Sequence, residues 1–249
     1  MLIPRSPEGG FCIYGIWRNV MEYFNRAAAT AKAAIFDLDG TLVDSLEDIA
    51  DSMNEMLAGY GFPQFEVDLY RYKVGNGSRK LIERALPEEQ AKDASFVDEA
   101  LSKYKACYEK NLLNKTRPYA GILTMLHRLQ EMDVPMAVCT NKHQGAAEQI
   151  VDKLFPAKMF REVIGDQPGL PRKPDPTKML NLAKNMRITP EEVAYFGDSS
   201  VDMDTANNAK AIAIGVTWGF RTREELEEHQ AKYILEMPAD LFTKVEFKP

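Results

Sequence analysis

Asp37 and Asp39 stand one residue apart at the end of the apolar run Ala33-Ala34-Ile35-Phe36, and Gly40 follows at once. Two carboxylates this close repel each other unless a cation sits between them or one keeps its proton. The pair therefore points to a metal combined with acid–base chemistry. An apolar run of strand length that ends on acids and a turn residue reads as a buried parallel strand opening into a site. Successive strand residues face opposite ways, so the two acids share a direction only with Leu38 turned away between them. Two plainer readings compete. Asp and Gly are common turn formers, and the acids could simply shape a turn. Asp-x-Asp also opens an EF-hand calcium loop, but that loop needs Gly at its sixth position and Glu at its twelfth, where this chain has Leu42 and Asp48.

Further polar residues follow other apolar runs. Thr140 and Asn141 come after Met136–Cys139, and Asp198 comes after Val193–Phe196 and Gly197. Lys173 lies in a Pro-rich loop, Gln167–Pro176, that follows a short run over Glu162–Ile164. Open parallel sheets bind ligands outside the carboxyl ends of their strands, so acids, a hydroxyl, an amide and a lysine would meet at one edge. Taken singly, each has a simpler explanation. Thr140 and Asn141 suit a helix cap, as does Asp198 before Ser199 and Ser200. Asp202 and Asp204 suit the first turns of a helix by complementing its dipole, and Lys173 suits a solvated loop. Their joint placement at strand ends favours a site.

The elements that must position these residues follow from periodicity. Leu46, Ile49, Ala50, Met53, Met56 and Leu57 recur at helical spacing, and Gly59 and Gly61 end the run. Short helices are expected over Glu66–Lys73 and Ser78–Leu86, joined by Gly75-Asn76-Gly77, with a longer one from about Phe96 to Leu113. No strand pattern occurs between Leu46 and Lys115, so this block reads as a helical insert. From Arg117 onward helices and strands alternate: helices over Gly121–Met132, Ala146–Leu154, Thr177–Met186 and near Glu224–Gln230, and strands ending with Ala211–Val216. Alternation of this kind implies βα units and a parallel sheet. The expected architecture is α/β, a Rossmann-like parallel-sheet core over 32–46 and 116–249 with a helical cap over 47–115 inserted after the first strand. Residues 1–31 read as an N-terminal extension without assigned function.

The 249 residues allow one large domain or a core with an insert. A net charge of −6 argues against general nucleic-acid binding, which rewards basic faces, while leaving room for a local phosphate site. Cys12, Cys107 and Cys139 are widely spaced and form no CxxC, so neither a disulfide framework nor a zinc site is expected, and a cytoplasmic location fits. Phe11–Trp17 is apolar but too short to span a membrane, and it lacks a small-residue cleavage site beyond it.

Four segments together carry a resemblance. Asp37-Leu38-Asp39-Gly40-Thr41-Leu42-Val43-Asp44-Ser45, Cys139-Thr140-Asn141, Arg172-Lys173-Pro174 and Gly197-Asp198-Ser199-Ser200-Val201-Asp202 resemble, in order, the four motifs of the haloacid dehalogenase superfamily. The helical insert, Arg117-Pro118-Tyr119, Gly215-Val216-Thr217-Trp218-Gly219-Phe220 and Arg223-Glu224-Glu225-Leu226 are similar to its phosphoglycolate phosphatase-like members. The resemblance implies a phosphatase in which Asp37 attacks phosphorus and forms an aspartyl-phosphate. It implies that Asp39 protonates the leaving alcohol and then activates water. Mg²⁺ would be held by Asp37, the Asp39 carbonyl and Asp198, with Asp202 acting behind them. Lys173 would supply a fixed positive charge, while Thr140 and the amides of Asn141, Leu38 and Gly40 would hold phosphate oxygens.

The expected partner is a small phosphorylated metabolite, with 2-phosphoglycolate among the candidates, bound by a monomer or homodimer that engages neither nucleic acid nor membrane. A sugar-phosphate mutase or a phosphonate hydrolase on the same fold is an alternative; the latter needs a Schiff-base lysine in the cap, for which Lys73 and Lys80 are candidates. A non-catalytic binding module is a third. A dehalogenase would need neither Asp39 as proton shuttle nor the metal. Gly75-Asn76-Gly77 with Ser78, Arg79 and Lys80 is either a substrate-facing cap loop or a solvated helix connection.

Overall fold

The computed structural model describes residues 29–248. It opens with two short strands, β1 (Ala29–Ala31) and β2 (Ala33–Phe36). β2 is buried along its whole length, with Ala34 and Phe36 in one apolar cluster and Ala33 and Ile35 in another. That alternation is what a strand covered on both faces requires. Strand β3 (Val43–Asp44) then leads into helix α1 (Leu46–Gly59), whose six helically spaced apolar residues are all buried. A 3-10 turn over Val67–Tyr72 follows, then α2 (Ser78–Ala85), α3 (Glu88–Lys92) and α4 (Ala94–Asn111). The insert has its own core, which includes Met53, Tyr70, Ile82 and Tyr104. Asp93 caps α4 by accepting from the amides of Ser95 and Phe96.

The chain leaves the insert beside the point where it came in. Strand β4 (Arg117–Pro118) pairs antiparallel with β3, Asp44 opposite Arg117. Asp48, buried in the first turn of α1, accepts from the Lys115 and Thr116 amides and, at 2.6 Å, from the Thr116 hydroxyl. A buried carboxylate satisfied by several donors is strongly oriented, so both connections are held against α1.

The remaining elements are α5 (Ile122–Glu131), β5 (Met136–His143), α6 (Gln144–Leu154), β6 (Val163–Asp166), α7 (Thr177–Met186), β7 (Val193–Gly197), α8 (Ser200–Asn208), β8 (Ile212–Val216), α9 (Arg223–Glu228), β9 (Tyr233–Leu235), α10 (Leu241–Lys244) and β10 (Val245–Phe247). Six strands form one sheet in the order β6-β5-β2-β7-β8-β9, every pair parallel. From β2 the chain first fills one side through β5 and β6, then returns to fill the other through β7, β8 and β9. This reversal opens a crevice beyond the carboxyl end of β2, where ligands of such sheets bind. Phe36 and Phe196, on the adjacent strands β2 and β7, stack with centroids 4.5 Å apart.

The structure corrects several boundaries. The sheet does not close with β8: Tyr233–Leu235 adds a sixth strand beside it. Ala29–Ala31, read as the end of the extension, pairs in parallel with Val245–Phe247 and belongs to the fold; residues 1–28 lie outside the described residues. β5 runs on to His143, so Thr140 and Asn141 are strand residues and His143, not either of them, precedes α6. Glu66–Lys73 is 3-10 rather than α-helical, and α3 occupies a stretch where no helix was expected. Among the described residues, no helix is long and apolar enough to cross a membrane.

Candidate active site

Asp37 follows β2, and its amide donates to the Phe196 carbonyl of β7 at 2.8 Å, which ties the first loop to the neighbouring strand. Leu38, beyond the end of β2, is fully buried in the same apolar cluster as Phe36, while its acidic neighbours line the site. Gly40 has φ +83°, and a Cβ there would overlap the Asp198 carboxylate. The absence of a side chain thus lets the first loop press directly on the loop after β7. The Gly40 amide is already taken by the Val43 carbonyl at 2.9 Å, so of the amides expected to hold phosphate this one is engaged within its own turn. Asp198 accepts from the Phe220 amide at 2.7 Å, and Trp218 donates its indole N–H to the Thr41 carbonyl at 2.9 Å. The Thr217–Phe220 segment therefore braces both acidic loops.

Asp37, Asp198 and Asp202 are buried, and one oxygen from each lies within 4.8 Å of the others. Burial pushes the Asp37 carboxyl up to about 6, against the pull of the Lys173 charge. Burial, and then the charges of Asp202 and Asp37, push Asp198 well above the usual carboxylate range. Lys173 answers this accumulation. Its Nζ lies 2.6 Å from Asp202 Oδ1 and 2.9 Å from Asp37 Oδ1, and its side chain is 2% exposed. Burial opposes the lysine's charge, but Asp202 and Asp37 outweigh burial and hold it protonated above its ordinary range.

These partners separate the acids by duty. Asp202 is fully committed, with Oδ1 to Lys173 and Oδ2 to the Ser199 hydroxyl at 2.6 Å and the Ser199 amide at 3.2 Å. Asp37 Oδ1 is buried and, apart from its ion pair with Lys173, has no hydrogen-bond partner. A buried carboxylate oxygen in that state, beside a second raised carboxyl, suits a hard divalent cation. The residues present therefore fit a metal between Asp37 and Asp198.

Thr140 and Asn141 end the neighbouring strand and are also buried. The Asn141 side chain joins three segments: its Oδ1 accepts from the Lys173 amide at 2.9 Å, and its Nδ2 donates to the Lys173 carbonyl at 3.0 Å and to the Gly75 carbonyl of the insert at 3.1 Å. Lys178, on the buried face of α7, donates to the Thr140 carbonyl at 2.6 Å and to Asn141 Oδ1 at 3.1 Å. Burial lowers this lysine's pKa to about 8. Arg71 of the insert donates to the Gly219 carbonyl at 3.1 Å, and Arg221 answers with bonds to the Arg71 and Val74 carbonyls. The insert is thus latched over the acidic loops.

Between insert and core lies a cavity of about 330 Å³. Asp37, Asp39, Thr140, Asn141 and Asp198 line its core side, and Ile49, Val74, Leu81, Tyr104 and Leu112 line the insert side. Gly75, Gly77 and Ser78 of the glycine loop reach it, whereas Arg79 pairs with Asp98 and Lys80 with Glu83 at 2.6 Å. Asp39 faces the cavity with both oxygens engaged: Ser45 Oγ donates to Oδ1 at 2.6 Å, and Lys142 Nζ donates to Oδ1 and Oδ2 at 2.9 and 3.0 Å.

The chain has known relatives. The sequence model of the haloacid dehalogenase-like hydrolase family matches residues 34–216. The chain belongs to the haloacid dehalogenase-like hydrolases. A phosphoglycolate phosphatase of Mannheimia succiniciproducens is 33% identical over 211 residues, 83% of this chain and 94% of that one. One from Rhodobacter capsulatus is 36% identical over 210 residues, 82% of this chain and 92% of that one. A crystal structure described as a predicted phosphoglycolate phosphatase of Haemophilus somnus superposes with a TM-score of 0.79 at 28% identity, covering 85% of this chain and 96% of that one. Within the family this hydrolase is therefore phosphoglycolate phosphatase-like.

Three polar groups of this haloacid dehalogenase-like hydrolase escaped the motif reading: Ser45, Lys142 and Lys178. Lys142 carried a signal, because it directly follows Thr140-Asn141 at a strand end. Lys178 carried another, since it shares a buried helix face with Met179 and Leu182, where a lysine needs a partner. Ser45 was quoted within the first motif, but only the fold shows it turning back to Asp39.

Proposed function

We propose that this hydrolase is a Mg²⁺-dependent phosphatase of a small phosphomonoester, working through an aspartyl-phosphate on Asp37, with 2-phosphoglycolate as the first ester to consider. The observation that carries the reading is the buried Asp37 carboxylate at the carboxyl end of the central strand, whose Oδ1 is ion-paired with Lys173 at 2.9 Å and has no further partner. One oxygen of that carboxylate would attack phosphorus while the other faces the metal, splitting one difficult displacement into two easier ones. Thr140 and the Asn141 amide, at the next strand end, would receive phosphate oxygens. Lys173 would neutralise charge that builds on the phosphoryl group, from a site where water does not compete. Asp39, on the cavity side, would give a proton to the ester oxygen and take one from the hydrolytic water.

Asp37, Asp198 and the Asp39 main-chain carbonyl would hold Mg²⁺, which when bound offsets repulsion between the carboxylates and the phosphate. Asp202 would orient Lys173 rather than bind the ion, since both its oxygens are spoken for. Neither Lys73 nor Lys80 lines the cavity, so neither supports a phosphonate hydrolase, and the insert lysine that does line it, Lys105, is exposed. The names of the relatives support the glycolate ester, and the partner is then a small phosphorylated metabolite. Inorganic phosphate release from a panel of phosphomonoesters tests the reading. Release should be strong with Mg²⁺ and fall at least about a hundredfold with chelator. Metal-independent release, or none from any ester, would refute it.

A further inference from the structure

Lys142 is a buried ammonium in a cavity whose opposite wall is mostly apolar. Its side chain is 6% exposed, and its Nζ lies 4.6 Å from the centre of the Tyr108 ring while holding both Asp39 oxygens. Under the function just proposed, on which this inference rests, Asp39 must turn an oxygen toward the ester oxygen. Ser45 and Lys142 occupy both oxygens, so Lys142 loses a bond when that happens. A buried ammonium deprived of its anion is costly. The arriving substrate must therefore supply a replacement.

The other basic groups around the cavity are placed differently. Arg221 is committed to the Arg71 and Val74 carbonyls, and Lys105 and His143 are exposed. On the insert wall Ile49, Val74, Leu81 and Leu112 are apolar, the hydroxyls of Ser78, Tyr104 and Tyr108 are neutral, and Glu109 is exposed, so that wall holds no buried anion to replace Asp39. We propose that Lys142 reads the leaving group, exchanging Asp39 for an anionic group that the alcohol carries close to its ester oxygen, a carboxylate in the simplest case. Selection then acts on turnover as well as on binding, because an ester without the anion leaves Asp39 in the grip of Lys142.

Two esters of equal length separate this from a merely structural role: 2-phosphoglycolate and 2-hydroxyethyl phosphate, which replaces the carboxylate with a neutral alcohol. The wild-type protein should favour the carboxylate by at least about tenfold in kcat/KM, with part of the difference in kcat. Lys142→Met should shrink that preference to within about threefold, and Lys142→Arg, which keeps the charge but not the compact ammonium, should retain part of it. Equal losses on both esters in Lys142→Met would mean that the lysine only holds Asp39, and an unchanged preference would mean that it reads nothing; either overturns the proposal. Calorimetric affinities of the two esters for Asp37→Asn, with and without Lys142→Met, give a readout that needs no turnover. A preference for the carboxylate that Lys142→Met removes supports the proposal, and one that survives refutes it. Absence of phosphate release from every ester would instead refute the phosphatase reading.

Discussion

Asp37→Asn releases no inorganic phosphate above background from any ester, a fall on the order of 10⁴-fold or more, while the protein stays folded. Asparagine keeps the shape of the side chain and removes the anionic oxygen that would attack phosphorus. Stability should hardly change, because two effects of opposite sign meet at this position. The substitution removes a charge that burial disfavours, having pushed the carboxyl up to about 6. It also removes one of the two anions beside Lys173, although Asp202 remains at 2.6 Å. Phosphate release is checked by a coupled assay and folding by thermal denaturation. A large drop in Tm with residual turnover would show Asp37 to be a structural acid.

Lys173→Met should be the more damaging change overall. The methionine matches the lysine in length but leaves Asp37, Asp198 and Asp202 as a buried acidic cluster without its cation. Breaking a buried ion pair by removing one partner costs about 3–5 kcal/mol, and here one ammonium serves two carboxylates. Activity should fall on the order of a hundredfold or more through the lost stabilisation of phosphoryl charge. Because the cluster then lacks its one directly paired cation, added Mg²⁺ should raise Tm further in the variant than in the wild-type protein. Near-normal turnover and stability would return Lys173 to the role of a solvated loop lysine, which its 2% side-chain exposure opposes.

The legible parts of this fold were those in which one short segment holds both its periodicity and its terminator. β2 runs directly into Asp37, β7 ends on Gly197, and α1 carries its whole buried stripe in the sequence from Leu46 to Leu57, so each could be placed without a partner. β1, β9 and β10 are three residues each, too short for alternation to register, and they exist because a neighbouring strand offers hydrogen bonds. Likewise, Thr140–His143 looks like a cap and is a strand, because pairing with β6 resumes at His143 opposite Asp166 after an irregular stretch.

The site divides along the same line. Asp37, Asp39, Thr140, Asn141, Lys173 and Asp198 could be listed from strand ends, since topology alone delivers them to one edge. Their pairings could not. That Lys173 bridges Asp37 to Asp202, that Lys142 holds Asp39, and that Asn141 links Lys173 to Gly75 all depend on side-chain directions across 29 to 136 residues of chain. Gly40 is intermediate. Its turn was readable, but its need to lie against Asp198 is a fact of packing.

The covalent step is the centre of this account, and it is open to direct observation. Protein mixed with Mg²⁺ and a hydrolysed ester, quenched in acid within one turnover and digested, should yield a phosphorylated peptide containing Asp37, with the added mass of one phosphoryl group. The same peptide from Asp37→Asn should carry none. Phosphate release without any label on Asp37, or a label on another residue, would contradict the assignment of this carboxylate as the nucleophile.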